Sequence, residues 1–358
     1  MDEFYGEEDV ALLSDWGFNF VRLPVDYMLF ESDERPGVYD EDTLSYVDRA
    51  ISWCVDYDVH VNLDMHHLPG YGISDYAADP LYEPRLWSQE DLLERSEKIW
   101  RMLAERYSHI GGNLSFNVLN EPMAEMSAYK RFLERMISTV RKVDRDRLIF
   151  IDGLDLAREP VPGIQDENIV QSFHNYEPMW VTHYGADWAP GPYIYEAGCH
   201  LADETAKYPG VPPRMDRFSD VISRREDWEN LVPETDRKLE ALFDNIRNFF
   251  SKYNGVRADS DWLEEQIEPW LEFRKNSGTP IHCGEFGVYA PRVDRETQLN
   301  WYRDIMGIYK EHDIGWALWN LRGPFGVIEH GREEFLKEEL PDGRRMDPKL
   351  LKILQNGL

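Results

Sequence analysis

Residues 114 to 120 read LSFNVLN, a short apolar run ending in a polar residue. After Glu121 and Pro122 the spacing becomes helical, with Tyr129, Phe132, Met136 and Val140 on one face. A compact apolar run of this length describes a strand covered on both sides, and apolar residues three and four apart describe a helix that buries one side. Together they form one βα unit, and the unit recurs. Similar runs stand at Phe18 to Pro24 (FNFVRLP), Val59 to His66 (VHVNLDMH), Leu148 to Gly153 (LIFIDG), Ile169 to Tyr176 (IVQSFHNY), Pro280 to Glu285 (PIHCGE) and Gly315 to Asn320 (GWALWN). Between them Leu44, Val47, Ile51 and Val55 form a helical face after Asp42. Leu92, Ile99 and Leu103 form another behind a capping pattern at Ser88-x-x-Asp91, and a last helix spans Asp347 to Leu354.

Seven such units predict an α/β fold of the TIM (β/α)8 barrel type rather than an open doubly wound sheet. The chain has no G-x-G-x-x-G or G-x-x-x-x-G-K motif, which favours the barrel. Upstream of the helix predicted at Glu8 to Trp16 only MDEFYGE remains, so the first of the eight strands is lacking or reduced. Either Phe4 and Tyr5 form a vestige of it, or another segment or chain closes the gap, and a homo-oligomer is one way to do so. The interval between the strands at Ile169 and Pro280 is about twice the usual spacing. We expect an insertion over about 193 to 260 after the sixth strand, on the active-site face, with an amphipathic helix around Leu239, Leu242, Ile246 and Phe249. Residues 1 to 358 then form one catalytic barrel domain.

Composition removes several functional classes. The 358 residues carry 68 Asp+Glu against 39 Lys+Arg, a formal charge of −29 that repels phosphate backbones and anionic lipid. Neither nucleic acid nor a membrane is expected as a partner. At 42% hydrophobic and 13% aromatic, the chain has ample material for a core despite its charge. Cys54, Cys199 and Cys283 are odd in number and far apart, which fits buried free thiols. The start, MDEFYGEEDV, does not read as a signal peptide, so the chain as written is expected in the cytoplasm, and outside the cell if a longer form carries an export signal.

The ends of the predicted strands collect polar residues: Arg22, His66 with His67, Asn120 with Glu121, His174 with Tyr176, Glu285, and Trp319 with Asn320. Barrel enzymes keep their catalytic groups at those ends. Two glutamates ending different strands suit glycosidic hydrolysis, which needs one carboxyl to protonate the leaving oxygen and one to attack or stabilise the anomeric carbon. His66 and His67 do not read as a metal pair, because adjacent strand residues point to opposite sides. No metal or other cofactor is expected, and His67 reads as a supporting group. Trp53, Trp100, Trp301 and Trp316 sit in apolar patterns and read as core. Tyr71, Trp87, Trp180 and Trp188 fall in upper loops, where they either stack on further sugars or pack within the protein, and His183 and Tyr184 either shape the cleft or serve a structural role.

The stretches GFNFVRLPVDY from Gly17, LDMHHLPGY from Leu63, FNVLNEP from Phe116, HNYEP from His174 followed by THYGADW from Thr182, IHCGEFGVY from Ile281 and GWALWNLRGPFGVIE from Gly315 together resemble glycoside hydrolase family 5. The resemblance runs from about Val10 to Trp188 and again from about Trp262 to the C-terminus. It implies that Glu121 is the general acid/base and Glu285 the nucleophile of a retaining β-glycosidase acting on a β-linked oligo- or polysaccharide. It further implies that Arg22 and Tyr176 donate to the nucleophile, that Asn120 binds the sugar 2-hydroxyl, and that His66, His174 and Trp319 line the reacting-sugar subsite. An endo-β-1,4-glucanase is the expected activity. Exo-acting β-glucosidases and β-1,3-glucanases, and mannanases, share these motifs. From another functional class, a carbohydrate-binding pseudoenzyme is the alternative.

Overall fold

The computed structural model describes residues 5–78, 82–186, 206–212 and 251–358. All seven predicted runs form strands: β1 (Phe20–Asp26), β2 (His60–Leu68), β4 (Leu114–Asn117), β5 (Leu148–Asp152), β6 (Ile169–Asn175), β7 (Ile281–Phe286) and β8 (Gly315–Leu318). A two-residue strand, β3 (Tyr71–Gly72), folds back on β2. The seven lie parallel in the order β1-β2-β4-β5-β6-β7-β8, so each neighbours the next in sequence, as in a barrel.

The helices cover the outside. Helix Glu41–Asp56 starts at Asp40, whose carboxylate accepts the N–H groups of Asp42 (3.0 Å) and Thr43 (3.2 Å). It buries Leu44, Val47, Ala50, Ile51 and Cys54, while Val55 lies at the exposed edge of the predicted stripe. Each fully buried aliphatic side chain of this kind stabilises the fold by about 1.5–3 kcal/mol. The expected cap at Ser88 is not formed. That helix begins at Glu90, and the Ser88 hydroxyl instead donates to the carbonyl of Arg85 (3.3 Å). Its inward face holds Leu93, Ile99, Trp100 and Leu103, with Leu92 at the margin. Trp100 and Trp301 are core residues as expected, Trp53 and Trp316 are half-buried, and Cys54 and Cys283 are buried free thiols. Among the described residues no helix is long and apolar enough to cross a membrane.

The barrel is nearly closed, with its seam between β8 and β1, which do not pair with each other. Where β4 and β7 are buried along their whole length, β1 and β8 stay half-exposed. A cavity of about 870 Å³ runs beside them, lined by Leu13, Phe18, Phe20, Trp316 and Leu318 among others. Tyr5 joins no strand: its ring packs against Trp53 at 6.5 Å and its hydroxyl lies 3.5 Å from the Cys54 sulfur. Phe4 lies outside the described residues, as do Trp188, Cys199 and the helix expected around Leu239 to Phe249. The described parts of the predicted insertion rest on the barrel. Gly210 and Ala258 exchange two backbone hydrogen bonds (2.9 and 2.8 Å), and Tyr208 donates to Asp304 (2.7 Å) on helix Arg295–Glu311.

Candidate active site

The C-terminal ends of the strands bring the predicted residues together around Glu285. Glu285 is the fifth residue of β7, and the glycine before it is required by close approach. A Cβ on Gly284 would sit 2.3 Å from Ser172 Oγ and 3.2 Å from His174 Nε2. The β6–β7 register slips between Phe173 and His174, which sets His174 opposite Glu285. Glu285 Oε1 accepts from the Arg22 guanidinium and Oε2 from the Tyr176 hydroxyl (2.9 Å). Burial, then the charge of Glu285, pushes the Tyr176 phenol far above its ordinary pKa, so it remains a donor.

Glu121 sits on the turn after β4 with φ of 46°, the left-handed region that a glutamate enters only when its surroundings hold it there. Its Oε1 lies 2.8 Å from His174 Nδ1, and its N–H donates to Asp152 Oδ2 (3.1 Å). One carboxylate oxygen of Glu121 and one of Glu285 lie within 4.8 Å of each other and of His174. His174 Nε2 is 3.3 Å from Asp152 Oδ2. Burial alone would keep the His174 ring neutral, but the charges of Glu285 and Asp152, with hydrogen bonds to Asp152 and Glu121, outweigh it and raise its pKa to about 10. The two ring nitrogens of His174 thus face two different carboxylates, Glu121 and Asp152.

Arg22 occupies the floor. Its Nη1 is 3.0 Å from Asp64, and its Nη2 donates to Asn120 Oδ1 (2.8 Å) and Asp152 Oδ2 (3.2 Å). Burial works against the guanidinium charge, yet Asp64, Asp152 and Glu285 overcome it and hold the proton more tightly than usual. Asp64 Oδ2 also lies 2.6 Å from His66 Nε2, and the His66 ring stacks on Trp319 at 5.6 Å and 20°. All eight predicted site residues, Arg22, His66, Asn120, Glu121, His174, Tyr176, Glu285 and Trp319, thus form one connected cluster at the strand ends.

Asp64 and Asp152 escaped the sequence reading, although both are fully buried and each bonds Arg22. Their signal was available: Asp64 shares a strand side with His66, and Asp152 ends β5 just as Glu285 nearly ends β7. Asp152 also accepts from Asn117 Nδ2 (3.1 Å). Burial would raise its pKa, but the positive charges of His174 and Arg22 and the Glu121 N–H hold it well below the carboxylate range.

Burial and hydrogen bonding decide the residues whose roles the sequence leaves open. Tyr71 and Trp180 are 1% and 2% exposed, too buried to stack on a sugar, and Trp87 is half-buried with its indole N–H donated to the carbonyl of Met123 (2.8 Å). His67 does act as a support, bonded through Nδ1 to Asp26 and through Nε2 to Ser74 Oγ (2.6 Å). His183 packs edge-on to Tyr176 (4.9 Å), and its burial pushes its pKa down to about 4. Tyr184 is buried as well.

Two triplets, Asp64 with His66 and Glu285, and Glu121 with His174 and Glu285, have the atoms of a metal site. The donor sets are poor ones. Arg22 already bonds Asp64 and Glu285 in the first, and Glu285, the carboxylate it holds, is also a member of the second. A divalent ion would face the Arg22 guanidinium in both.

Comparison with known proteins agrees with this chemistry. The family model for cellulase (glycosyl hydrolase family 5) matches residues 2–323. Endoglucanase C of Acetivibrio thermocellus is 31% identical over 326 residues, 90% of this chain and 85% of that one. Cellodextrinase A of Ruminococcus flavefaciens is 26% identical, over 88% of this chain and 77% of its own length. Among solved structures, one described as a glycoside hydrolase superposes with a TM-score of 0.76 at 27% identity, covering 98% of this chain and 92% of its own. Endoglucanase Cel5A of Thermotoga maritima has a TM-score of 0.67 at 20% identity, over 98% and 90% of the two chains, and shares the fold.

Proposed function

This chain belongs to glycosyl hydrolase family 5, and from that premise we propose that it cleaves β-1,4-linked glucan at internal bonds, with Glu285 as nucleophile and Glu121 as general acid/base. The observation that carries the double-displacement mechanism is the close approach of the two carboxylates, one oxygen of each lying within 4.8 Å of the other. Retaining enzymes hold them about 5–5.5 Å apart, whereas inverting enzymes leave about 6.5–9.5 Å for a water. The division of labour follows from their partners. Glu285 accepts from Arg22 and Tyr176, donors that fix the orientation of its two oxygens for attack. Glu121 is the more exposed of the two, with 18% of its side chain accessible against 7%, as suits a group that meets a departing oxygen and then a water.

In this reading Glu285 forms a bond to the anomeric carbon as the glycosidic C–O bond breaks and Glu121 gives its proton to the leaving oxygen. Glu121 then takes a proton from water, which attacks the anomeric carbon and releases Glu285, with net retention. Asn120, held by Arg22, faces the 2-hydroxyl, and Trp319 and His66 form the floor of the subsite.

The β-1,4 linkage rests on the Acetivibrio and Ruminococcus relatives. It is tested by kcat/KM on cellopentaose, laminaripentaose and mannopentaose together with the viscosity of a soluble cellulose derivative. We expect at least about a 10-fold preference for cellopentaose, since mispositioning a sugar hydroxyl costs about that much, and a viscosity loss that outruns reducing-end release. Faster turnover of another pentaose, or release of glucose alone from chain ends, would replace the substrate assignment, and no turnover of any glucan would favour a binding protein.

We also propose that a second copy of the chain covers the seam between β8 and β1. Support comes from the half-exposed strands and the apolar cavity beside them. Since each copy carries a formal charge of −29, salt should promote the contact by screening. Light scattering behind gel filtration should give a multiple of 42.2 kDa that grows with ionic strength. A monomer at every salt concentration would discard it.

A further inference from the structure

The backbone of Glu121 to Met123 is held by side chains from a different strand and loop. Pro122 has no N–H, and Glu121 holds its φ of 46° against the ordinary preference of a side-chain-bearing residue. The bonds that oppose this strain come from Tyr71 and Trp87. The Tyr71 hydroxyl donates to the carbonyl of Glu121 and accepts the N–H of Met123 (2.9 Å), so one oxygen bridges both sides of the proline. Trp87 Nε1 donates to the carbonyl of Met123 (2.8 Å).

The placement of Tyr71 is itself well determined. The sequence Leu68-Pro69-Gly70-Tyr71 makes a tight hairpin: Gly70 has φ of 83°, as the third residue of a type II turn requires, and β3 then pairs Tyr71 with Leu68. His67 anchors the base of the hairpin through Asp26 and Ser74. Above it the Tyr71 ring packs on Trp87 at 5.1 Å, and Trp87 stands edge-on to Tyr129 (6.1 Å) and Phe132 (5.8 Å) of helix Met126–Arg141. Tyr129 donates to the carbonyl of Asp152 (2.8 Å), the residue whose carboxylate accepts the Glu121 N–H. Glu121 is thus held at its N–H by Asp152 and at its carbonyl by Tyr71, and both holders rest on one aromatic cluster.

We propose that Tyr71, backed by Trp87, is a positioning residue that aims the Glu121 carboxyl at the leaving oxygen. The proposal rests on the assignment of Glu121 as general acid. Misplacing a catalytic group by an ångström costs on the order of 100-fold in rate. The loss should appear only where a proton must be delivered.

The test compares Tyr71→Phe and Trp87→Phe with the parent enzyme on two substrates. One is cellopentaose, whose alkoxide leaving group needs the proton. The other is 2,4-dinitrophenyl cellobioside, whose phenolate leaves without it. We expect kcat on cellopentaose to fall about 10- to 100-fold for Tyr71→Phe and less for Trp87→Phe, with KM little changed and kcat/KM on the aryl glycoside within about threefold of the parent. Equal losses on both substrates, or none on either, would overturn the proposal. Glu121→Gln run beside them separates the two levels. If it shows the leaving-group split and Tyr71→Phe does not, positioning fails while the acid assignment stands; if Glu121→Gln lacks the split, the acid assignment itself fails.

Discussion

Glu285→Gln should lower kcat on every glycoside by at least about 10⁴-fold, the scale of losing a nucleophile from a concerted site, while the protein stays folded. The amide keeps the shape of the carboxylate but cannot attack the anomeric carbon. The fold tolerates the change because Arg22 retains Asp64, Asp152 and Asn120 as partners when Glu285 loses its charge. An aryl leaving group gives no relief, because the missing bond is the one to carbon. A second readout is independent of turnover. Glu285 is the foremost charge that raises His174 to about 10, so the titration of His174, followed by NMR of the imidazole, should move down in the variant. Turnover within tenfold of the parent would remove Glu285 from the mechanism.

Glu121→Gln should behave differently, which makes the pair more informative than either alone. On glucan kcat should fall by about 10²–10⁴-fold, the usual contribution of general acid–base catalysis. With 2,4-dinitrophenyl cellobioside, kcat/KM should stay near the parent value, because the first step no longer needs a proton. The second step still lacks its base, so the glycosyl-enzyme accumulates and a burst of phenolate precedes slow turnover. Azide, which attacks without deprotonation, should restore the steady rate and yield a β-glycosyl azide. Absence of both burst and azide rescue would show that Glu121 is not the acid/base.

Much of this site was legible before any coordinates because it is assembled from strand ends. A short buried run that stops at a polar residue carries both its secondary structure and its place on the barrel rim, so Arg22, His174 and Glu285 could be located by local pattern alone. Boundaries were less certain where tertiary packing decides them. Phe18 reads as strand, yet β1 starts at Phe20 because Phe18 packs edge-on to Trp316 outside the ladder, at 5.8 Å. Asp64 and Asp152 were hidden for another reason. A buried acid makes sense only with its cation, and Arg22 lies 42 and 130 positions away in sequence. Tyr71 and Trp87 show the converse limit. An aromatic in an upper loop looks the same whether it faces a sugar or a backbone carbonyl, and only the hairpin at Pro69-Gly70 turns Tyr71 inward.

Whether a covalent bond forms between Glu285 and the sugar can be read by trapping that bond. A 2-deoxy-2-fluoro-β-cellobioside with 2,4-dinitrophenolate as leaving group destabilises both transition states but still forms the intermediate, and proteolysis with mass spectrometry then locates the label. One fluorocellobiosyl group per chain is expected, carried on the peptide spanning Ile281 to Tyr289 and on Glu285 within it. A label on any other residue, or steady hydrolysis with inversion and no label, would contradict it.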